Sequence, residues 1–397
     1  MGDAAKMYIC LEASDEKKFK NHYMICSIRL SDLTGQLSDN AVPHFHLERK
    51  FQGYPSMGCG LFGSKIVFTG GKTKRNGFTT FDFATREFSR NSLPQMRCSK
   101  AKPLVFELNK RLYVFDVSSC FYDGAFEYFN PSEHRWYNLL LPHDAPSDCC
   151  RYSHGIPQNA HHDYSFLIFG STCYFHIPPY DDTLIFFHHP SYTHQTWLTF
   201  PRTHPFSGAS AVYLQYNFFD SVVFSFENRL VRAHRFSVLS CYFEDPILLF
   251  EVEPSSESNG NMSAYFVDLQ GGIFILTAYD NVCIYFHTFK VYRTGEESSP
   301  MTINCNVMSK YQIKFNSLPL GSRMLGVVGC FSSSPNTEAI KYADEVFGSC
   351  MLRFAKRCDN DSRMVEIDGK PCVAPQGPRG EMVWHSGPDG TRCLVVT

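Results

Sequence analysis

The stretch Lys65-Ile66-Val67-Phe68-Thr69-Gly70-Gly71, followed after a polar loop by Phe81-Asp82-Phe83-Ala84-Thr85-Arg86-Glu87-Phe88, decides how this chain is read. A short apolar run with no polar alternation reads as a strand buried on both faces. The double glycine after it lets the backbone turn where a side chain would clash. The second half reads as a strand, a tight turn led by aspartate, and a closing aromatic. The same grammar returns at Arg111-Leu112-Tyr113-Val114-Phe115-Asp116 and then Tyr128-Phe129-Asn130-Pro131-Ser132-Glu133-His134-Arg135-Trp136. Phe81 stands to Phe88 as Phe129 stands to Trp136.

Weaker copies follow. One has Leu167-Ile168-Phe169-Gly170, then Phe187-His188-His189-Pro190 and Trp197; another has Val222-Val223-Phe224-Ser225-Phe226, then Tyr242-Phe243-Glu244-Asp245-Pro246 and Phe250. A last one has Gly271-Gly272-Ile273-Phe274-Ile275-Leu276, then Cys283-Ile284-Tyr285-Phe286, and ends at Tyr311-Gln312-Ile313-Lys314-Phe315. Pro94, Pro142, Pro201, Pro254 and Pro319 close the units. Their spacing of about 50 to 65 residues is that of a kelch blade with insertions. A single four-stranded blade has apolar faces it cannot cover, so it needs neighbours on both sides. The Asp/Asn-Pro element is expected to turn the chain between the outer two strands, and the closing Trp or Phe to wedge one blade against the next.

Strand-like text also begins the chain, at Met7-Tyr8-Ile9-Cys10-Leu11 and Tyr23-Met24-Ile25-Cys26-Ser27-Ile28-Arg29-Leu30, and recurs late at Met324-Leu325-Gly326-Val327-Val328-Gly329. Sharing these pieces in one closing blade would remove open sheet edges. The expectation is an all-β fold: a single closed β-propeller of about six four-stranded blades, degenerate kelch type, over 1–334. Residues 335–397 are expected to be a short helix, with apolar positions at Ile340, Ala343, Phe347, Met351 and Phe354, and then an irregular Gly/Pro-rich tail.

Composition agrees. Aromatic residues are 15% of the 397 and charged residues 19%, so the chain can bury a large β core. A net charge of −2 lacks the basic excess a nucleic-acid or membrane-surface partner needs. No apolar stretch approaches the roughly 20 residues of a membrane span. The 16 cysteines form no CxxC pair and no secretory leader is evident, so they read as reduced, buried thiols of a cytoplasmic or nuclear protein.

Residues 61–142 resemble the plant kelch-like β-propellers, which include the kelch-repeat F-box proteins and a related family expanded in grasses. The matching text is Gly70-Gly71, Phe81-Asp82…Thr85…Phe88, and Leu93-Pro94-Gln95-Met96-Arg97-Cys98-Ser99-Lys100-Ala101-Lys102-Pro103. That stretch leads into Lys110-Arg111-Leu112-Tyr113-Val114-Phe115-Asp116, and Asn130-Pro131…Trp136 resembles the end of a kelch blade. The resemblance implies a propeller that binds a protein partner. No F-box-like helical segment stands before it, so a direct ubiquitin-ligase adaptor role is not expected.

Motifs of chemistry are sparse. Gly58-Cys59-Gly60-Leu61-Phe62-Gly63 spells G-x-G-x-x-G but leads into a strand instead of a helix, so these are expected to be turn glycines. Cys149, Cys150, His154, His161 and His162 have the ligand types of a zinc site, yet adjacent cysteines do not easily share one tetrahedral ion. No G-x-S-x-G elbow is present. Function is therefore expected in loops on a rigid scaffold: 72–78, 118–124, 143–162 and 177–183, with Lys72, Lys74, Arg75, Tyr122, Asp123, His154, His161 and Tyr180 as partner-binding candidates. The expectation is a monomeric, non-catalytic protein-interaction scaffold, with no catalytic residues, cofactor or metal. The alternative is a metal-dependent or small-molecule-processing propeller enzyme with its site in the central channel.

Overall fold

In a computed structural model, alternation and turn chemistry become four-stranded antiparallel sheets. The described residues are 5–14, 21–35, 43–71, 77–101, 103–116, 124–139, 165–169, 172–176, 183–187, 196–200, 210–213, 221–237, 242–258, 261–269, 271–294, 302–318, 323–333, 364–367, 370–373, 382–386 and 392–396. The helix expected over 336–357 lies outside them.

The first sheet holds β1 (Lys6–Ser14), β2 (Asn21–Arg29) and β3 (His46–Gly53); the second, β4 (Gly58–Phe62), β5 (Lys65–Thr69), β6 (Phe78–Asp82) and β7 (Phe88–Arg90). The third holds β8 (Pro103–Leu108), β9 (Arg111–Asp116), β10 (Phe126–Asn130) and β11 (Arg135–Asn138). The fourth holds β12 (Ser165–Phe169), β13 (Thr172–His176), β14 (Thr183–Phe187) and β15 (Thr196–Phe200). In the fifth are β16 (Ser210–Tyr213), β17 (Ser221–Glu227), β18 (Leu230–Ser237), β19 (Tyr242–Phe243) and β20 (Ile247–Glu251). The sixth has β21 (Ser263–Asp268), β22 (Ile273–Tyr279), β23 (Cys283–Thr294) and β24 (Thr302–Lys314). β25 (Arg323–Ser332) then pairs with β1, placing Ile9 opposite Cys330 and Cys10 opposite Gly329.

Middle strands such as β10 and β17 are buried almost throughout, whereas outer strands such as β3 and β20 are mostly exposed. That gradient explains the unbroken apolar runs: only a strand covered on both faces can lack polar alternation. Successive sheets meet through those runs. Phe51 meets Phe68 edge-on at 5.0 Å, and Trp136 stacks on Phe78 at 5.2 Å. Phe106 approaches Phe166, Tyr174 approaches Phe236, and Phe224 approaches Phe274. Ile275, Ile284 and Phe286 of the sixth sheet share a core with Ile9, Leu11 and Met24 of the first. The architecture is of β-propeller type: meandering four-stranded sheets stacked face to face in chain order.

The turns follow their residues. Asp82 accepts hydrogen bonds from the Ala84 and Thr85 amides, and Asn130 from the Ser132 amide and hydroxyl. These side chains supply a local acceptor that mimics a backbone turn. Asn109-Lys110 and Asn228-Arg229 have paired positive φ values, which join β8 to β9 and β17 to β18 with the twist a hairpin needs.

Three expectations need correction. Gly58 and Gly60 are not turn residues but lie within β4, where a Cβ would sit 2.1 Å from Pro103 O and 2.3 Å from Val105 O. They are glycine because β4 and β8 approach backbone to backbone; of this motif's glycines only Gly63 lies in a turn, at φ +57. Pro246 does not turn the chain between two paired strands. β19 and β20 both pair with β18, so Pro246 interrupts one outer strand, where a missing N–H is tolerated. The tail is not irregular throughout: β26 (Met364–Ile367) pairs with β27 (Lys370–Val373), and β28 (Met382–Ser386) with β29 (Arg392–Val396). Turn residues there separate short strands instead of dispersing them.

Buried carboxylates pin the loops between sheets. Glu12 Oε1 accepts from the Ser56 amide at 2.9 Å and from the Tyr23 hydroxyl at 2.8 Å, and the Met57 amide donates to that hydroxyl. Asp280 and Tyr285 repeat the pairing, with the Ser255 amide donating to the Tyr285 hydroxyl at 2.7 Å. In the third sheet Glu127 accepts from the Arg97 and Cys98 amides and pairs with Lys100.

Two buried histidines predict acid sensitivity. Burial, aided by Arg232, lowers His234 from the usual 6.5 to about 4; burial, aided by Lys310, does the same to His287. His287 Nδ1 has no hydrogen-bond partner among the described residues, consistent with a neutral ring stacked on Phe250. Between pH 6.5 and about 4 the unfolded chain binds protons that the folded chain does not. Stability therefore falls as the pH drops through that window and levels off below it, at about 3 kcal/mol for each histidine. Urea midpoints measured from pH 7.5 to 4 should fall steeply, and His287→Phe should flatten part of the slope; pH-independent midpoints would contradict neutral buried rings.

Candidate functional site

The described residues form a cleft of about 240 Å³ at one end of the first sheet, lined by Lys6, Ser27, Arg29, His44 and His46. The ladder assembles it. Lys6 opens β1 opposite Arg29 at the end of β2, and Ser27 lies opposite His46 at the start of β3. Between Ile25 and Cys26 the register with β3 slips by one, leaving Glu48 as the extra residue. Such a bulge re-aims side chains that a regular strand would hold in strict alternation.

Glu48 is the hub. Its side chain is only 4% exposed. Oε1 accepts from the Ser27 hydroxyl at 2.7 Å and pairs with Lys6 Nζ at 3.3 Å, while Oε2 faces His46 Nε2 at 3.8 Å. Burial alone would raise this carboxyl, but the Ser27 hydrogen bond, Lys6 and the field of Arg86 outweigh it and hold Glu48 below the ordinary carboxylate range. It is therefore ionised at neutral pH. His46 is 59% exposed, and Arg29 reaches outward beside Asp32 at 3.2 Å. Lys6 and Arg29 place two cations at the mouth, each beside its own carboxylate, Glu48 and Asp32. His46 lies on the cleft wall with Nε2 turned toward Glu48.

All eight sequence candidates lie outside the described residues: Lys72, Lys74, Arg75, Tyr122, Asp123, His154, His161 and Tyr180. So do Cys149, Cys150 and His162. Among the described residues no group of three or more His, Cys, Asp or Glu side chains is placed to hold a metal ion, and no helix is long and apolar enough to cross a membrane. The cleft residues were not singled out by motif. The signal for them is His44-Phe45-His46-Leu47-Glu48, a polar alternation where the neighbouring strands are continuously apolar.

No protein-family model and no curated relative matches the sequence. Solved structures of similar fold include Hsv2 of Kluyveromyces lactis, with 7% identity and a TM-score of 0.40 over 76% of this chain and 98% of that one. They also include a putative 6-phosphogluconolactonase of Bacteroides uniformis, with 12% identity and a TM-score of 0.40 over 76% and 82%. The periplasmic gluconolactonase PpgL of Pseudomonas aeruginosa has 10% identity and a TM-score of 0.40 over 81% and 98%. Two of these three are named as enzymes, so the expectation of a non-catalytic scaffold with no enzyme activity is corrected: the architecture does not exclude an enzyme. That expectation took an architecture for a function, and one fold hosts both.

Proposed function

We propose that 1–334 form a closed ring of six blades of degenerate kelch type, and that the chain processes a small anionic molecule at the rim cleft of its first blade. What supports closure is the order of packing, sixth sheet against first, together with the pairing of β25 with β1. Enclosure of this kind leaves no open edge.

The observation that carries the activity is Glu48, buried and ionised behind a cleft lined by Lys6, Ser27, Arg29 and His46, three of which it contacts. A carboxylate, a histidine and paired cations converging on one concavity form a general-base constellation. Arg29, and Lys6 beyond its contact with Glu48, attract the substrate's carboxylate or phosphate. His46 takes a proton from a water that attacks an ester or lactone carbonyl, and Glu48 steadies the resulting imidazolium. The carbonyl–oxygen bond then breaks, and the proton passes from His46 to the leaving oxygen. On this reading the site lies at one end of the first sheet.

A panel of esters and lactones with and without a carboxylate or phosphate tests this. Anionic members should be turned over in preference to neutral ones. His46→Ala should lower kcat by 10²- to 10⁴-fold, and Arg29→Ala should mainly raise KM. Turnover indifferent to His46, or none across the panel, would reject the reading.

A further inference from the structure

We infer that Cys10 and Cys59 form a peroxide-driven modification site, closing a disulfide that ties β1 to β4 across the seam between the first and second sheets. The inference is independent of the cleft. Both residues are free thiols. Cys10 is fully buried on β1, and Cys59 on β4 is partly exposed. Two features bring them together. Gly329 is the cross-strand neighbour of Cys10 and has no side chain; a Cβ there would meet Cys59 Sγ at 3.1 Å, so the Cys59 sulfur occupies the room beside Cys10. Cys59 also packs against the core cluster that holds Cys10. Cys59 itself lies between Gly58 and Gly60 on a strand pressed against β8, which holds its backbone in place.

The division of labour follows from exposure. Cys59 meets the oxidant: its sulfur attacks a hydroperoxide, the O–O bond breaks, and the Cys59 proton leaves with water or alcohol while the sulfur becomes a sulfenic acid. Cys10 is the resolving thiol. Its sulfur attacks the Cys59 sulfenic sulfur, the S–O bond breaks, a second water leaves with the Cys10 proton, and the S–S bond forms. The two thiols lose two electrons and two protons, and the peroxide is reduced. Cys26 and Cys330 lie near Cys10, but both are buried and neither is in hydrogen contact with it. The bond would join the first sheet, which holds strands from both ends of the described propeller, to the second. The seam would then stay together even when β25 separates from β1.

The experiment treats the reduced protein with hydrogen peroxide under native conditions, alkylates the remaining thiols, and maps peptides without reduction. The expected result is one cross-linked peptide joining Cys10 to Cys59, released by dithiothreitol, with slower hydrogen exchange along β1. Cys59→Ser should abolish the link. Cys10→Ser should leave a sulfenic acid on Cys59 that dimedone captures, a readout that survives even if one variant folds poorly. A link from Cys10 to Cys26 or Cys330, or full alkylation of Cys59 after peroxide, would overturn the inference.

Discussion

Lys100→Ala should destabilise the folded chain by about 3–5 kcal/mol, because it leaves a carboxylate buried without its cation. Lys100 Nζ and Glu127 Oε2 are 2.6 Å apart and both side chains are 0% exposed. The ammonium also donates to Gly124 O at 2.7 Å. Glu127 keeps two amide donors, Arg97 and Cys98, after the change, but hydrogen bonds do not neutralise a charge placed in a poorly polarisable interior. Lys100 O in turn accepts from the Gly71 amide at 3.0 Å, so the loop carrying it crosses the turn after β5. The double glycine is required there as well: a Cβ on Gly70 would stand 2.7 Å from Lys100 O. Urea unfolding is the measurement. The double variant Lys100→Met with Glu127→Gln removes both charges and should recover much of the loss; a single variant within 1 kcal/mol of the parent would mean that water reaches Glu127.

The second large effect is expected at Trp136. Its indole lies flat against Phe78 of the preceding sheet, at 5.2 Å and 9°, and its Nε1 donates to Pro94 O at 2.8 Å. It is therefore both the wedge between the second and third sheets and the anchor of the loop that joins them. Trp136→Ala empties that wedge and should cost about 3–5 kcal/mol, as large-to-small changes of aromatic core residues do. Trp136→Phe keeps a stacked ring and orphans only the Pro94 carbonyl, so it should cost about 1–3 kcal/mol. Equal losses for the two variants would mean that the ring contact contributes nothing beyond the hydrogen bond.

Much of this packing was legible in the residues. The apolar runs at 65–69, 111–116 and 273–276 are middle strands, and Asp82 and Asn130 make the turns their side chains favour. Trp136 wedges as a closing aromatic should. Lys100 was not legible. In the sequence it stands only within the family-matching run Leu93 to Pro103, and Glu127, on a strand beyond the next hairpin, shows it to be buried. Gly58 and Gly60 misled for a related reason: glycine signals either a turn or a close approach, and nothing local separates the two. The loops that sequence reasoning favoured were chosen by their position between units, whereas the cleft lies on strand ends.

What the amino-acid order determined by itself is local: where strands run, where they turn, and that each sheet has faces it cannot leave in water. Those follow from short-range sterics and from burial, which a few adjacent residues suffice to express. Only the tertiary structure decided that Lys6, Ser27, Arg29 and His46 share one cleft with Glu48 behind it, and that Cys10 and Cys59 pack in one core cluster. Those sites depend on strand register, on one bulged residue in β3, and on the space left by Gly329. Each is a distance between chain segments far apart in sequence, set when whole sheets pair and pack.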